Sequence, residues 1–320
     1  MPSTVSLRSN GRSHDHRFLL GLSLFTHDTE FARALDESAR HAAARLGAEL
    51  IVVDGEKSSQ HQIDQIARLL ANGIDALLLS PNHSMELVPG VLMANRAGVP
   101  VITVDSIAAG GMITSHVGLN NAMAAAIAGR YIAKRIPDGE HTILELHAQR
   151  DAFHAQQRSI GFHREMRKYR RFHVVVELAG WVPEPAYEVT RRVLQERPDL
   201  RAIFAHTDDI VIGAMRALSE ARGHTIARNA DVIVAGIDAT PAALQRIRNG
   251  QQDASLQQDP YLMGRVAVSS ALAALNGRAH VRLAQQRPVL VTRENVDDLN
   301  LWANRRDTVG VSMVTLRARK

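Results

Sequence analysis

FLLGLSLFTHDTEFARALDESARHAAARLGAELIVV, residues 18–53, carries the pattern on which the fold turns. Phe18 to Leu24 is a short, almost unbroken apolar run of strand length. From Phe31 the spacing changes: Phe31, Leu35, Ala39, Ala42 and Leu46 recur every three or four residues and so share one face of a helix. Gly47 follows as the C-terminal cap, and Leu50 to Val53 resumes as a strand. Strand, helix, strand at this spacing is the unit of a parallel sheet, because parallel neighbours can be joined only by a crossover long enough to hold a helix.

The same alternation runs outward through the chain. Helix 60–71 stops at Asn72-Gly73, strand 76–79 follows, helix 87–97 ends before Gly98, and Pro100 precedes strand 101–104. A polar, glycine-rich stretch, 108–121, separates this series from a second. That series is helix 122–135, strand 142–146, helix 155–169, strand 174–178, helix 185–196, strand 202–205, helix 208–221 and strand 232–235. After Gly250 the pieces shorten to strand 254–257, helix 260–275 and strand 289–292, as expected of returns between two bodies. The expected architecture is α/β: two open lobes with parallel-sheet cores, joined by multiple hinge crossings near 119–120, 258–259 and 290–291. The expected division is an unstructured tail 1–17, a first lobe 18–119 plus 259–290, a second lobe 120–258 plus 291–300, and a tail 301–320.

A length of 320 residues suits two lobes. The chain is 45% hydrophobic and 22% charged, which excludes extended disorder and fibrous classes. No apolar run is long enough to span a bilayer, and the opening MPSTVSLRSNGRSHDHR lacks a secretory apolar region. With no cysteine there is no disulfide or thiolate chemistry, and either redox compartment is open. The net charge of +5 is modest, and much of it sits at the ends: Arg8, Arg12 and Arg17, then Arg305, Arg306, Arg317, Arg319 and Lys320. That placement reads as solvated tails, so no nucleic-acid partner is expected.

In open parallel sheets ligands bind beyond the carboxyl ends of the strands. Those ends supply Thr26-His27-Asp28, Asp54, Ser80-Pro81-Asn82 and Asp105-Ser106 in the first series. In the second they supply His147 to Asp151, Trp181, Thr207-Asp208-Asp209 and Asp238-Ala239-Thr240. Carboxylates, amides, hydroxyls and aromatics together are what a sugar requires: acceptors for paired hydroxyls, donors, and a flat face for the C–H side of the ring. Each Asp or Ser could equally cap the helix that follows. The usual phosphate-loop, nucleophile-elbow, zincin and dinucleotide signatures are absent from the sequence, so no enzyme is expected and no cofactor. His14-Asp15-His16 could hold a metal but lies in an unpatterned tail. His141, His147, His154 and His163 read as surface or capping groups, so no metal site is expected.

Eight segments together resemble the ribose-type sugar-binding proteins of ABC importers, two-lobed receptors of the type I periplasmic binding protein family. They are ANGIDALLLSP (71–81), MANRAGVPVITVDS (93–106), AIAGRYIAKRI (126–136), QQRSIGFHREM (156–166), AIFAHTDDIVIGAMRAL (202–218), VAGIDATP (234–241), QQDPYLMGRVAV (257–268) and PVLVTRENVDDL (288–299). The resemblance implies site roles by position. Phe31 falls on an aromatic that packs on the sugar and Asp105 on a carboxylate that accepts hydroxyls. Arg158 falls on a donor to sugar oxygens and Trp181 on a stacking position, although a large aromatic there could equally fill core. Asp238 falls on the second lobe's carboxylate, and Gln258 on a hinge-side amide. Ser106 stands where ribose binders have arginine, Thr207 and Thr29 where they have asparagine, and Ala32 where they have an aromatic. These departures imply a roomier pocket, for a hexose, a polyol or a decorated sugar.

The resemblance further implies a monomer that closes over a sugar or polyol and presents the closed form to an ABC transporter permease in the periplasm. The alternative is a cytoplasmic effector domain of lac-repressor type without its DNA-binding module, since 17 residues before the first strand are too few for a helix-turn-helix.

Overall fold

A computed structural model describes residues 17–222 and 232–304. His14-Asp15-His16 and the basic ends lie outside them, apart from Arg17. In the first half, β1 (Leu19–Leu24), α1 (Glu30–Arg45), β2 (Glu49–Asp54), α2 (Ser59–Ala71), β3 (Ala76–Leu79), α3 (Val88–Arg96), β4 (Val101–Val104) and β5 (Ser115–Leu119) follow in order. In the second come α4 (Asn121–Ala133), β6 (His141–His147), α5 (Phe153–Met166), β7 (Phe172–Leu178), α6 (Pro183–Glu196), β8 (Leu200–Ala205), α7 (Asp208–Arg222), β9 (Ile233–Asp238), α8 (Pro241–Arg248) and β10 (Ala254–Gln257). Then α9 (Pro260–Leu275), β11 (Leu283–Gln286), β12 (Val289–Thr292) and a 3-10 turn at Trp302–Asn304 complete the described chain.

The strands form two six-stranded sheets, β2-β1-β3-β4-β5-β11 and β7-β6-β8-β9-β10-β12. Every pairing is parallel except β10 with β12. The wiring is the same in both sheets: the chain moves outward from the first strand to the second, then reverses to the third. Each sheet therefore has a switch point, between β1 and β3 and between β6 and β8, where the strand ends open a crevice. The helices that cover the sheets bring apolar faces to shared cores, one of which runs from Leu20 and Leu22 through Val117 and Ala128 to Phe204 and Ile237. Close helix approach is built in at Gly161 of α5, where a Cβ would overlap the Ala122 carbonyl of α4. No helix of the described residues is long and apolar enough to cross a membrane.

Three elements were not expected. Strand β5 lies in the stretch read as a polar connection, because its polar groups are paired inside the sheet. The Ser115 hydroxyl donates to the Val281 carbonyl at 2.6 Å, and His116 Nδ1 meets the Thr103 hydroxyl at 3.0 Å. Helix α8 is only eight residues long, and a Thr240 hydroxyl accepting from the Ala243 amide caps it. Strand β11 is an edge with Leu283 and Gln285 exposed, which hides its apolar pattern.

The chain changes sheets between β5 and α4, between β10 and α9, and between β11 and β12. The last change precedes Leu290-Val291, where the sequence placed it, since β12 already pairs with β10 from Val289 opposite Gln257. The three crossings are tied together by Gln286. Its side-chain amide donates to the Asp259 carbonyl at 2.6 Å, its Oε1 accepts from the Asp259 amide at 3.0 Å, and its carbonyl accepts from the Asn120 amide at 3.1 Å. Residues 301–304, expected to begin a tail, are packed: Leu301 and Trp302 are buried, and the Trp302 amide donates to Gln257 Oε1 at 2.9 Å.

Candidate functional site

Strands β4 and β9, the fourth in each series, each deliver an aspartate at positive φ: Asp105 at 65° and Asp238 at 117°. A left-handed backbone is tolerated by Asp better than by most residues, yet it costs on the order of 1–3 kcal/mol and persists only where neighbours hold it. They do. The Asp105 amide donates to the Val117 carbonyl at 2.8 Å, and the Asp238 carbonyl accepts from the Gln258 amide at 3.2 Å and from the Trp302 indole at 2.9 Å.

Between them lies Arg158 of α5, only 2% exposed. Its Nε donates to Asn121 Oδ1 at 2.8 Å, one terminal nitrogen to the His206 carbonyl at 2.5 Å and the other to Gln258 Oε1 at 2.9 Å. The Gln258 amide nitrogen in turn donates to Asp105 Oδ1 at 2.5 Å. One continuous chain of hydrogen bonds thus runs from a strand end of the first sheet to α5, which packs on the second.

Ser106 is buried and meets Nδ1 of His154 at 3.4 Å. The far side of His154 lies against Trp181, ring centroids 4.8 Å apart, and the Trp181 indole donates to Gln149 Oε1 at 2.8 Å. The space that a short Ser106 opens is therefore partly taken by an imidazole. Thr207 caps α7, its hydroxyl accepting from the Ile210 amide at 3.3 Å. Phe31 sits half-buried in the first turn of α1 against the core shared by both sheets, apart from the hydrogen-bonded chain. So Asp105, Gln258 and Arg158 are joined by hydrogen bonds, Ser106 and Trp181 both meet His154, and Asp238 acts on Arg158 by its charge, while Phe31 and Thr207 are not part of this network. A further bridge between the sheets' strand-end loops joins His83 Nε2 to Asp151 at 2.6 Å.

Burial sets the electrostatics. It raises the carboxyl of Asp105 against the pull of Arg158 and Gln258. It raises that of Asp238 far more, since Asp208, Asp209 and Asp105 add their charges against Arg158 alone. Asp208, enclosed by Gln252 and Ser255, is pushed up to about 6 by the same burial. Two carboxyls disfavoured as anions beside one guanidinium are suited to polar, uncharged partners that supply hydroxyl donors.

Sequence reasoning missed His154 and Asn121. His154 stands four residues before Arg158, hence on the same face of α5, and that spacing was the available signal. Asn121 is the polar opening of an otherwise apolar helix. Neither His147 nor His154 is a plain surface group: His147 ends a strand with neighbours on both sides and is buried, and His154 is half-buried between Ser106 and Trp181. His163 is half-exposed, yet its ring pairs with Glu145.

A sequence model described as the periplasmic binding protein domain matches residues 20–279. The ribose import binding protein of Bacillus subtilis is 30% identical over 261 residues, covering 82% of this chain and 83% of that protein. Among solved structures, an ABC transporter solute-binding protein of Mycobacterium smegmatis with bound glycerol superposes with a TM-score of 0.81 at 26% identity, covering 89% of this chain and 97% of the other. One of Bacillus halodurans with bound myo-inositol gives 0.80 at 27% identity, covering 90% and 98%.

Proposed function

The chain belongs to the periplasmic binding protein family, and from that premise we propose that it is a solute receptor enclosing one monosaccharide or polyol between two lobes for delivery to an ABC importer. The lobes are 18–119 with 259–286, and 120–258 with 289–304. The ligand enters an open cleft, bonds to one lobe, and is enclosed as the other swings about the three crossings that Gln286 ties together. The closed form is the signal a permease reads in the periplasm, where the receptor works as a monomer. No bond in the ligand is made or broken.

Asp105 and Asp238 accept hydroxyls from opposite lobes, Arg158 and Gln258 donate, and Trp181 with His154 forms an aromatic wall. The observation that carries this reading is the Asp105–Gln258–Arg158 chain, a polar network spanning both lobes where the strand ends meet. The import-binding relative favours a transport receptor over a transcriptional effector domain. Glycerol and myo-inositol in the two solved relatives favour a neutral polyhydroxyl ligand. Thermal-shift screening of protein stripped of ligand by refolding, against pentoses, hexoses and inositols, tests it: at least one neutral sugar or polyol raises the melting temperature, and a flat response across the panel refutes it.

A further inference from the structure

Below the strand ends of the second sheet, three residues share one face of two neighbouring strands. Glu145 and His147 alternate along β6, so both project to the same side. Glu145 lies opposite Phe204 of β8, so His206, two residues beyond Phe204, comes up beside His147, their rings 4.5 Å apart. The ligating atoms of Glu145, His147 and His206 all lie within 4.8 Å of one another, and all three residues are buried.

A Glu–His network can be purely structural, and half of this one is accounted for in that way. His206 Nε2 lies 2.9 Å from Glu145 Oε1, and His163 Nε2 lies 2.8 Å from Oε2. His147 is different. It is 8% exposed and its Nδ1 has no hydrogen-bond partner. A buried, unpaired ring nitrogen beside a second imidazole and a carboxylate calls for an explanation that hydrogen bonding does not supply.

The geometry points to a divalent transition-metal site in which Glu145, His147 and His206 hold a zinc-class ion. Two imidazoles and one carboxylate match the donor set of tetrahedral zinc with one open position. With metal–ligand lengths of about 2.0–2.2 Å, tetrahedral ligand atoms stand about 3.3–3.6 Å apart. The three atoms, within 4.8 Å of one another without an ion, draw closer on coordination. Their protonation suits the ion. Hydrogen bonds from His163 and His206 overcome burial and take Glu145 down to about 2, while burial holds His206 near 4 and lowers His147. On coordination through Nε2 the His206 proton moves to Nδ1; the ion replaces the 2.9 Å Nε2–Glu145 hydrogen bond, and the long 3.4 Å acceptance from the Ala148 amide is given up. His163, its side chain 32% exposed, keeps its bond to Glu145. The site stands behind the proposed sugar cleft and needs no sugar to form.

Zinc titration against a chromophoric competitor tests this in full-length protein carrying H14Q and H16Q, which removes the N-terminal histidine pair as a rival. One equivalent is expected to bind at micromolar concentration or tighter, with at least a thirtyfold loss in H147Q and in E145Q. No uptake, or uptake unchanged in both variants, overturns the proposal. If a variant does not fold, imidazole NMR of the parent decides. Zinc must shift the His147 and His206 signals and leave His116 and His280 in place; shifts confined to other histidines overturn the site.

Discussion

Gln258 holds Asp105 with its amide nitrogen at 2.5 Å and Arg158 with its amide oxygen at 2.9 Å, so a single side chain at a sheet crossing couples both lobes' charged groups. Its neighbours are placed by backbone, not by chance packing. Gln258's own amide fixes the Asp238 carbonyl, and the next residue, Asp259, is locked to Gln286. Ligand contact and hinge are thus adjacent in sequence, and a sugar that replaces the Gln258–Asp105 bond acts directly on a crossing.

Asp105→Ala and Asp238→Ala should each weaken sugar binding by about 1.5–3 kcal/mol, the range for losing a buried, charge-assisted acceptor. Asp54→Ala serves as control, since its Oδ1 only turns the chain by accepting from the Glu56 amide. Calorimetric affinities check this, and an Asp54 effect as large as that of Asp105 would contradict the assignment.

His83 accepts from the Met85 and Glu86 amides through Nδ1, so its Nε2 carries the proton donated to Asp151 across the cleft. Asp151 is largely exposed, and such a pair is worth about 0.2–1 kcal/mol. Asp151→Ala should therefore raise the dissociation rate by a factor of about 1.4 to 5 and leave the melting temperature of ligand-free protein unchanged. Stopped-flow release and melting scans distinguish this from a general loss of stability.

His116 contributes to the pH dependence of stability, as does His206, which burial also lowers to about 4. Burial lowers His116 to about 4 in the fold, whereas the unfolded chain takes up its proton near 6.5. The proton prefers the unfolded state, so stability is complete above 6.5 and falls as pH drops toward 4. The loss is about 3 kcal/mol once both values are passed. Denaturant midpoints at pH 7 and 4.5 should fall less steeply in His116→Gln than in wild type; parallel curves would contradict the account.

The α/β alternation was legible because apolar residues change spacing sharply between strand and helix, as at Leu24 and Phe31. Asp105 and Asp238 were legible as polar residues directly after apolar runs. Strand β5 was not, since Ser115 and His116 satisfy their polar groups inside the sheet and so read as loop. His154 and Asn121 were harder to read: the four-residue spacing puts His154 on Arg158's face of the helix, but the partners through which the two matter, Ser106 and Arg158, lie more than thirty residues away.

Trp302 supports Asp238 through the 2.9 Å bond from its indole, while Trp181 lies against His154 beside Ser106. Ligand should change the intrinsic fluorescence, and Trp181→Phe should abolish most of the change. Trp302→Phe should keep the change but weaken binding by about 1 kcal/mol, the typical value of one hydrogen bond. A signal that vanishes only with Trp302→Phe removes Trp181 from the site.

Calorimetric titration of refolded, ligand-free protein with the sugar that most raises its melting temperature tests the central claim most directly. The account predicts one site per chain in wild type and at least a hundredfold weaker binding in the Asp105→Ala/Asp238→Ala double variant, its fold intact by circular dichroism. Binding that survives both substitutions, or no heat with any sugar or polyol, would contradict it.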